Sequence, residues 1–168
     1  IALAKARPGR LNNGSSGVGS SPHIAMGLLA QATGMHVLHV PYKGEGPLIT
    51  ALLTGEIDMS FLTLSGAGAQ LKAGKVRGLG VTSMKRIAEF PDVPAISETV
   101  PGFEYLAWVG MAVPEGTPRE RIDLLYREVS AALQTPEIRQ NLLSRSFEMV
   151  GSTPDRFRQR IRSDSDIL

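Results

Sequence analysis

The sequence predicts an α/β protein built from parallel βαβ units, and three observations carry that prediction. Between residues 22 and 82, short apolar segments rich in Val, Ile and Leu alternate with segments of helical period. Glycines stand where the helical segments end, at Gly34, Gly55 and Gly74, a position where a left-handed residue commonly closes a helix. A polar, glycine-punctuated stretch, residues 12–24, runs straight into the first of those helices. Short strands alternating with short helices pack as one parallel sheet with right-handed crossovers, and ligands of such sheets sit outside the carboxyl ends of the strands.

In chain order, residues 22–33 place Ile24, Ala25, Leu28 and Leu29 on one helical face, and Gly34 stops that helix. Residues 35–42, with Val37, Leu38 and Val40, read as a buried strand that ends in the turn Pro41-Tyr42-Lys43-Gly44. A second helix (47–53) and strand (57–62) follow, then a third helix (64–72) and strand (76–82). Pro91, Pro94 and Pro101 make residues 86–102 an irregular connection. Residues 104–113 read as a long apolar strand carrying Trp108, the only tryptophan, with a core position as the default and a place near an interlobe crevice as the sharper expectation. Thr117 is the expected N-cap, and Pro118 the first residue, of an amphipathic helix holding Ile122, Leu125, Val129 and Leu133. Thr135-Pro136 repeats that signal for a helix to about Ser144, residues 147–150 suit a last strand, and Thr153-Pro154 opens a helix expected to run to Leu168. The mostly helical texture after Gly116 marks a second lobe.

Composition narrows the function. The chain has 168 residues, 42% of them hydrophobic, enough for one ordinary domain or two small lobes. Lysine and arginine number 18 against 16 acidic residues, and their scatter leaves no stripe for nucleic acid. Arg156, Arg158, Arg160 and Arg162 form the densest basic run, but on a helix they spread over more than one face. The absence of cysteine excludes a disulfide framework and a thiolate metal site. No apolar run approaches the roughly 20 residues needed to span a bilayer, so the chain reads as soluble. It opens mid-phrase, as a helix end running to Pro8-Gly9, and further sequence is expected upstream.

Residues 12–24 read as an anion cradle, with an ordinary capped connection as the plainer alternative. Gly14, Gly17 and Gly19 permit positive φ and close approach, while Ser15, Ser16, Ser20 and Ser21 supply hydroxyls. Ser21 fits the N-cap and Pro22 the first turn, so unpaired N–H groups and the positive helix end favour a carboxylate or phosphate. Better-known loops fail here. A P-loop needs lysine after its last glycine, where Gly19 is followed by Ser20; the dinucleotide fingerprint meets Pro22 in place of its third glycine; and a nucleophile elbow around Ser16 requires glycine at Val18.

Around the cradle, His23 is placed to donate to a bound anion or simply to pack. Tyr42 is placed to donate to a carboxylate while its ring packs, and Lys43 to pair with an anion or remain a solvated turn residue. His36 and His39, three apart on a strand, point to opposite faces and read as core or surface histidines rather than metal ligands. Glu56 and Asp58 share a strand face without a third acid or histidine near them, so no general acid/base pair is assembled.

Five phrases then occur in order: Pro8-Gly9-Arg10-Leu11-Asn12-Asn13-Gly14-Ser15-Ser16-Gly17-Val18-Gly19-Ser20, His39-Val40-Pro41-Tyr42-Lys43-Gly44, Leu71-Lys72-Ala73-Gly74-Lys75-Val76-Arg77, Pro91-Asp92-Val93-Pro94 and Pro114-Glu115-Gly116-Thr117-Pro118. In these the sequence resembles the extracytoplasmic substrate-binding proteins of tripartite tricarboxylate transporters, the Bug or TctC type, over nearly the whole chain. The resemblance implies a two-lobed type II periplasmic binding protein fold that closes on a small carboxylate, without catalysis, cofactor or metal. It implies residues 1–105 as the second lobe, residues 106–168 as the C-terminal segment of the first, and a missing N-terminal part of that first lobe. The implied ligand set is Ser15, Ser16, Gly17, Gly19, Ser20, Ser21, His23, Tyr42, Lys43 and Thr63. Leu62 stands where the family usually has aspartate, a departure at the strand end that Thr63 follows. The partners implied are a di- or tricarboxylate or amino acid and the permease subunits of the transporter, in the periplasm. Self-association of a chain whose first-lobe helices lack their sheet is also expected. The competing readings are an incomplete receptor that binds nothing and a small α/β hydrolytic enzyme.

Overall fold

A three-stranded parallel sheet organises the first part of the chain. The computed structural model describes residues 1–144 and 147–166. Its first elements are α1 (Ala2–Ala6), β1 (Asn12–Ser15), α2 (Ser21–Thr33), β2 (Leu38–Pro41), α3 (Glu45–Thr54), β3 (Met59–Ser60) and α4 (Leu64–Lys72). The strand order is β2-β1-β3, and both pairings are parallel. The βαβ units expected from the alternation are therefore present, with a centre that the alternation did not show.

That centre is β1, whose sequence Asn-Asn-Gly-Ser lies inside the stretch expected to be a loop. Its backbone pairs on both sides, Asn13 standing opposite His39 in β2 and Met59 in β3, so the ladder satisfies the main chain whatever the side chains are. Asn12 and Asp58 lock the β3 register reciprocally: the Asn12 N–H donates to Asp58 Oδ2 at 2.8 Å, and the Asp58 N–H to Asn12 Oδ1 at 2.7 Å. The pleat sends alternate residues to opposite faces. On one face Leu48, Ala51 and Ile57 form a buried cluster joined by Val40 and Tyr42. On the other, Ala4, Met26, Leu29, Met35 and Phe103 form the larger cluster, with Met59 packed against it. Gly14 turns toward the first cluster, where a Cβ would meet Ile57 Cδ1 and come within 2.5 Å of Leu48 Cδ1. The glycine is needed there for space; Gly17 and Gly19 are the cradle glycines with positive φ, 137° and 78°.

Elsewhere the strands are shorter than expected. The 35–42 and 57–62 segments pair only over β2 and the two residues of β3. Residues 76–82 form no strand; one parallel bridge joins Val81 to Ala95. Gly78 and Gly80 lie where a Cβ would press on Val93 and Ile96, and two glycines leave little side chain to hold a ladder. The proline-rich connection is irregular as read, with a short 3₁₀ turn at Ile96–Glu98. Arg86 pins it by donating twice to Glu98, at 2.8 and 2.7 Å, and once to the Pro91 carbonyl at 3.1 Å. Those guanidinium bonds, with the Ala95 N–H, bring the Glu98 carboxyl down to about 2.

The chain divides into two compact units, Ile1–Ala107 and Trp108–Leu168. The second contains α5 (Arg119–Gln134), α6 (Pro136–Ser144) and α7 (Pro154–Ser165). Among its described residues none is buried, and the strands expected at 104–113 and 147–150 do not form. Trp108 is not a core residue: it is 44% exposed, packs edge-on to Phe157 at 5.0 Å and donates to Asp164 at 2.6 Å. The cap of α5 is Pro118 rather than Thr117, whose hydroxyl donates instead to the Pro114 carbonyl at 2.8 Å. Thr153 caps α7 through the Arg156 N–H. The end of that helix expected at Leu168 lies outside the described residues. Among the described residues no helix is long and apolar enough to cross a membrane.

Two glycine substitutions test this packing. Gly14→Ala overpacks the Leu48–Ile57 face and is expected to destabilise by about 1–3 kcal/mol. Gly27→Ala, in α2 with open space around it, should stabilise by roughly 0.5–1 kcal/mol. Denaturant midpoints of the two variants check this, and a Gly14→Ala protein as stable as the parent would refute the face assignment.

Candidate functional site

The strand order reverses at β1: the chain runs through α2 to β2 on one side of it and then through α3 to β3 on the other. In open parallel sheets the crevice forms at the carboxyl end of such a strand. Three loops leave the carboxyl ends here: residues 16–20 after β1, 42–44 after β2 and 61–63 after β3. The first two are stitched together, the Tyr42 N–H donating to the Ser15 carbonyl at 2.8 Å and the Gly44 N–H to the Ser16 carbonyl at 3.2 Å.

Ser15 fixes how the chain leaves the sheet. Its side chain is 0% exposed. The hydroxyl donates to the Gly17 carbonyl at 3.0 Å, accepts from the Gly17 N–H at 3.2 Å, and lies 2.6 Å from His39 Nε2. Further along, the Ser20 hydroxyl donates back to the Gly17 carbonyl at 2.6 Å, and the Gly19 N–H donates to His23 Nδ1 at 3.1 Å. The His23 and His39 rings are stacked, their centroids 4.1 Å apart. Burial, and then the repulsion that a second charged ring beside His23 would meet, hold His39 below the usual histidine value of 6.5. The Ser15–His39 pair has the distance of a nucleophile and its base, but the Ser15 hydroxyl is buried and committed to Gly17, so the pair holds the turn rather than presenting a nucleophile.

The N-cap of α2 is Ser20, one residue before the expected Ser21, and its side chain does not cap the helix because it is turned to Gly17. The Ser21 and His23 N–H groups, and the hydroxyls of Ser16 and Ser21, consequently have no partner among the described residues. They form an uncapped helix amino end at the carboxyl end of the central strand. The amino end of α4, also at this edge, is different. Glu45 Oε1 accepts from the Thr63 N–H at 3.0 Å and its hydroxyl at 2.8 Å, so an internal carboxylate already occupies it.

The expected site residues therefore separate. Ser15, Gly17, Gly19, Ser20 and His23 form the internal frame of the loop, and Ser16 and Ser21 remain open. Thr63 is committed as the N-cap of α4, accepting from the Gly66 N–H at 3.2 Å. The Tyr42 ring packs as expected, in the Leu48 cluster, and its hydroxyl donates to a carboxylate of the chain itself, Glu56, at 2.8 Å. Burial and that bond hold the phenol above its ordinary value of 10. Lys43 is exposed at the turn. Two residues were missed, His39 and Glu45. The first is found only once the register places it beside Asn13, and the second once α3 and α4 are packed together, so neither had a local signal. Among the described residues no group of three or more His, Asp or Glu is placed to hold a metal.

A parallel α/β sheet with an open helix amino end at its switch point is a frame for ligand binding common to open α/β folds, and the comparisons say which one it is. The chain belongs to the tripartite tricarboxylate transporter receptor family, whose model matches residues 1–166. A UPF0065 protein of Pseudomonas sp. is 35% identical over 99% of the chain and 50% of its own length. BugT of Bordetella pertussis is 31% identical over 94% of the chain and 49% of its own length. Among solved structures, an R. palustris protein with adipate superposes with a TM-score of 0.86 at 31% identity, over 96% of this chain and 55% of that one. The periplasmic binding protein BugD gives 0.84 at 28% identity, over 96% and 55%. A Rhodopseudomonas palustris protein with bound malate gives 0.79 at 30% identity, over 86% and 49%. The chain thus spans about half the length of each of these five proteins, and its fold is the matching α/β part of a type II periplasmic binding protein.

Ser15→Ala removes the group that both Gly17 backbone bonds and His39 use, leaving buried polar atoms unpaired. The expected loss is about 1–3 kcal/mol, against less than roughly 0.5 kcal/mol for Ser16→Ala, whose hydroxyl holds nothing. Chemical denaturation of the two proteins compares them; equal midpoints would remove Ser15 from its structural role.

Proposed function

We propose that this chain is part of an extracytoplasmic receptor that binds a small carboxylate and delivers it to the membrane subunits of a tripartite tricarboxylate-type transporter in the periplasm. In this reading residues 1–105 belong to the second ligand-binding lobe and residues 106–168 to the C-terminal segment of the first. The observation that carries the proposal is the open amino end of α2 beside the serine loop, next to an α4 end already filled by Glu45. A carboxylate seated at the former receives N–H and hydroxyl donors and the favourable end of the helix dipole, without a lysine being required. The adipate and malate complexes of the structural neighbours point to the same ligand class.

Calorimetric titration with succinate, malate, glutarate and adipate tests the proposal. A hydrogen bond to a charged group is worth about 1.5–3 kcal/mol, so Ser21→Ala and Ser16→Ala should each weaken binding by about tenfold or more. Lys43→Ala should weaken it mainly at low salt, since an exposed charge is screened. Unchanged affinity in both serine variants, or no binding of any of the four acids, would defeat the proposal.

A further inference from the structure

Two stacked imidazoles lie against the loop, and each is bonded to it. His39 Nε2 meets the Ser15 hydroxyl at 2.6 Å, and His23 Nδ1 accepts from the Gly19 N–H at 3.1 Å. The second bond dictates a protonation state: Nδ1 must carry a lone pair, so His23 is neutral with its hydrogen on Nε2. A proton added at Nδ1 would face the Gly19 N–H, and the bond would be lost. His39 needs no such change, because a ring carrying hydrogen on Nε2 donates to Ser15 while the Ser15 hydroxyl donates to Gly17. What resists a charge on His39 is its surroundings. The planes of the two rings are 17° from parallel at a 4.1 Å separation, so two cations there repel. The strands β1, β2 and β3 and the helix α2 contain no titratable side chain besides His23 and His39, while α3, which also packs on β1, carries Glu45, engaged at Thr63. The loop of residues 16–20 adds none, and the turn after β2 adds only the exposed Lys43. No carboxylate on the strands, on α2 or on these two loops compensates a proton.

We propose that His23 and His39 are positioning residues for the anion loop, whose closed shape is lost as the stacked pair takes up charge, at His23 through loss of the Gly19 bond and, once both rings are charged, through their mutual repulsion, so that acidification opens the loop and weakens carboxylate binding. The carboxylate half of this inference rests on the receptor reading; the loop half stands on the two hydrogen bonds and the stack. Neither histidine need touch the ligand. His39 acts through Ser15, and His23 through Gly19. The sign for His39 follows from its lowered value. The unfolded chain takes up a proton more readily than the folded one, so stability is full above about pH 6.5, declines as the pH falls below it, and levels off beneath the folded value.

The test follows the Gly17 and Gly19 amide resonances of the labelled chain from about pH 8 to about pH 5.5, the range in which histidines titrate, beside calorimetry with the tightest-binding of the four dicarboxylates. His23→Asn sets a non-titrating carbonyl oxygen where Nδ1 stood, and His39→Gln sets an amide where Nε2 stood. In the wild type both amides should move through a histidine titration, and affinity should fall by about fivefold or more, the low end for coupled sites. In His23→Asn the Gly19 amide should stay in place and the affinity should lose that pH dependence, apart from what the ligand's own protonation contributes. His39→Gln should do the same for Gly17 and provides the test should His23→Asn not fold. Flat Gly17 and Gly19 resonances in the wild type, a His23→Asn protein that titrates as the wild type does, or an affinity that rises on acidification would each overturn the inference. Amides that titrate as expected in a chain that binds none of the four acids at pH 8 would uphold the loop mechanism and refute the receptor reading instead.

Discussion

The hydroxyl of Ser15 is the constraint on which the rest of the site depends. It ends the central strand, and by engaging both backbone groups of Gly17 it turns the chain out of the sheet within two residues. That turn leaves Gly17 at a φ of 137°, which a side chain would oppose, and it brings the Gly17 carbonyl to the Ser20 hydroxyl. Because Ser20 is occupied in this way, the residue that would ordinarily cap α2 does not. The helix is left with orphan N–H groups at the carboxyl end of the central strand, an arrangement that is costly in an empty protein and favourable in one that binds anions.

The same edge of the sheet carries an internal comparison. The amino ends of α2 and α4 both follow strands of one sheet, yet Glu45 reaches α4 and, among the described residues, no acid reaches α2. An internal carboxylate at α4 shows what such an end attracts and removes it from competition for a ligand. In the proposed receptor, a carboxylate arriving at the α2 end would meet mainly fixed N–H dipoles, with Lys43 as the nearby exposed cation. Preorganised N–H donors lose little freedom on binding, which favours selectivity for the shape of the carboxylate over attraction to any anion.

Helices and their stops were legible in the sequence because periodicity and glycine punctuation are local signals; α2, α3 and α4 lie where Gly34, Gly55 and Gly74 bound them. The central strand was not. Asn12, Asn13, Gly14 and Ser15 include no β-branched or apolar residue, and they form a strand because β2 and β3 pair with them on both sides, a property of the tertiary structure. The reverse failure occurs at residues 76–82, where Val76, Leu79 and Val81 suggest a strand but Gly78 and Gly80 give neighbouring side chains their space. The composition of residues 12–24 marks a polar, glycine-punctuated turn into a helix, while its internal wiring has no sequence signal. The cap position of α2 falls at Ser20 rather than Ser21, and the partners that engage Ser20 and Tyr42, the Gly17 carbonyl and Glu56, have no signal in the local sequence.

The most direct measurement of the central claim is a crystal structure of the protein with a bound dicarboxylate. The account predicts one carboxylate within hydrogen-bonding distance of the Ser21 and His23 N–H groups and of the Ser16 or Ser21 hydroxyl, with Glu45 still bound at Thr63. A carboxylate seated at α4 in place of Glu45, or one held by Lys43 and Tyr42 away from the α2 end, would contradict it.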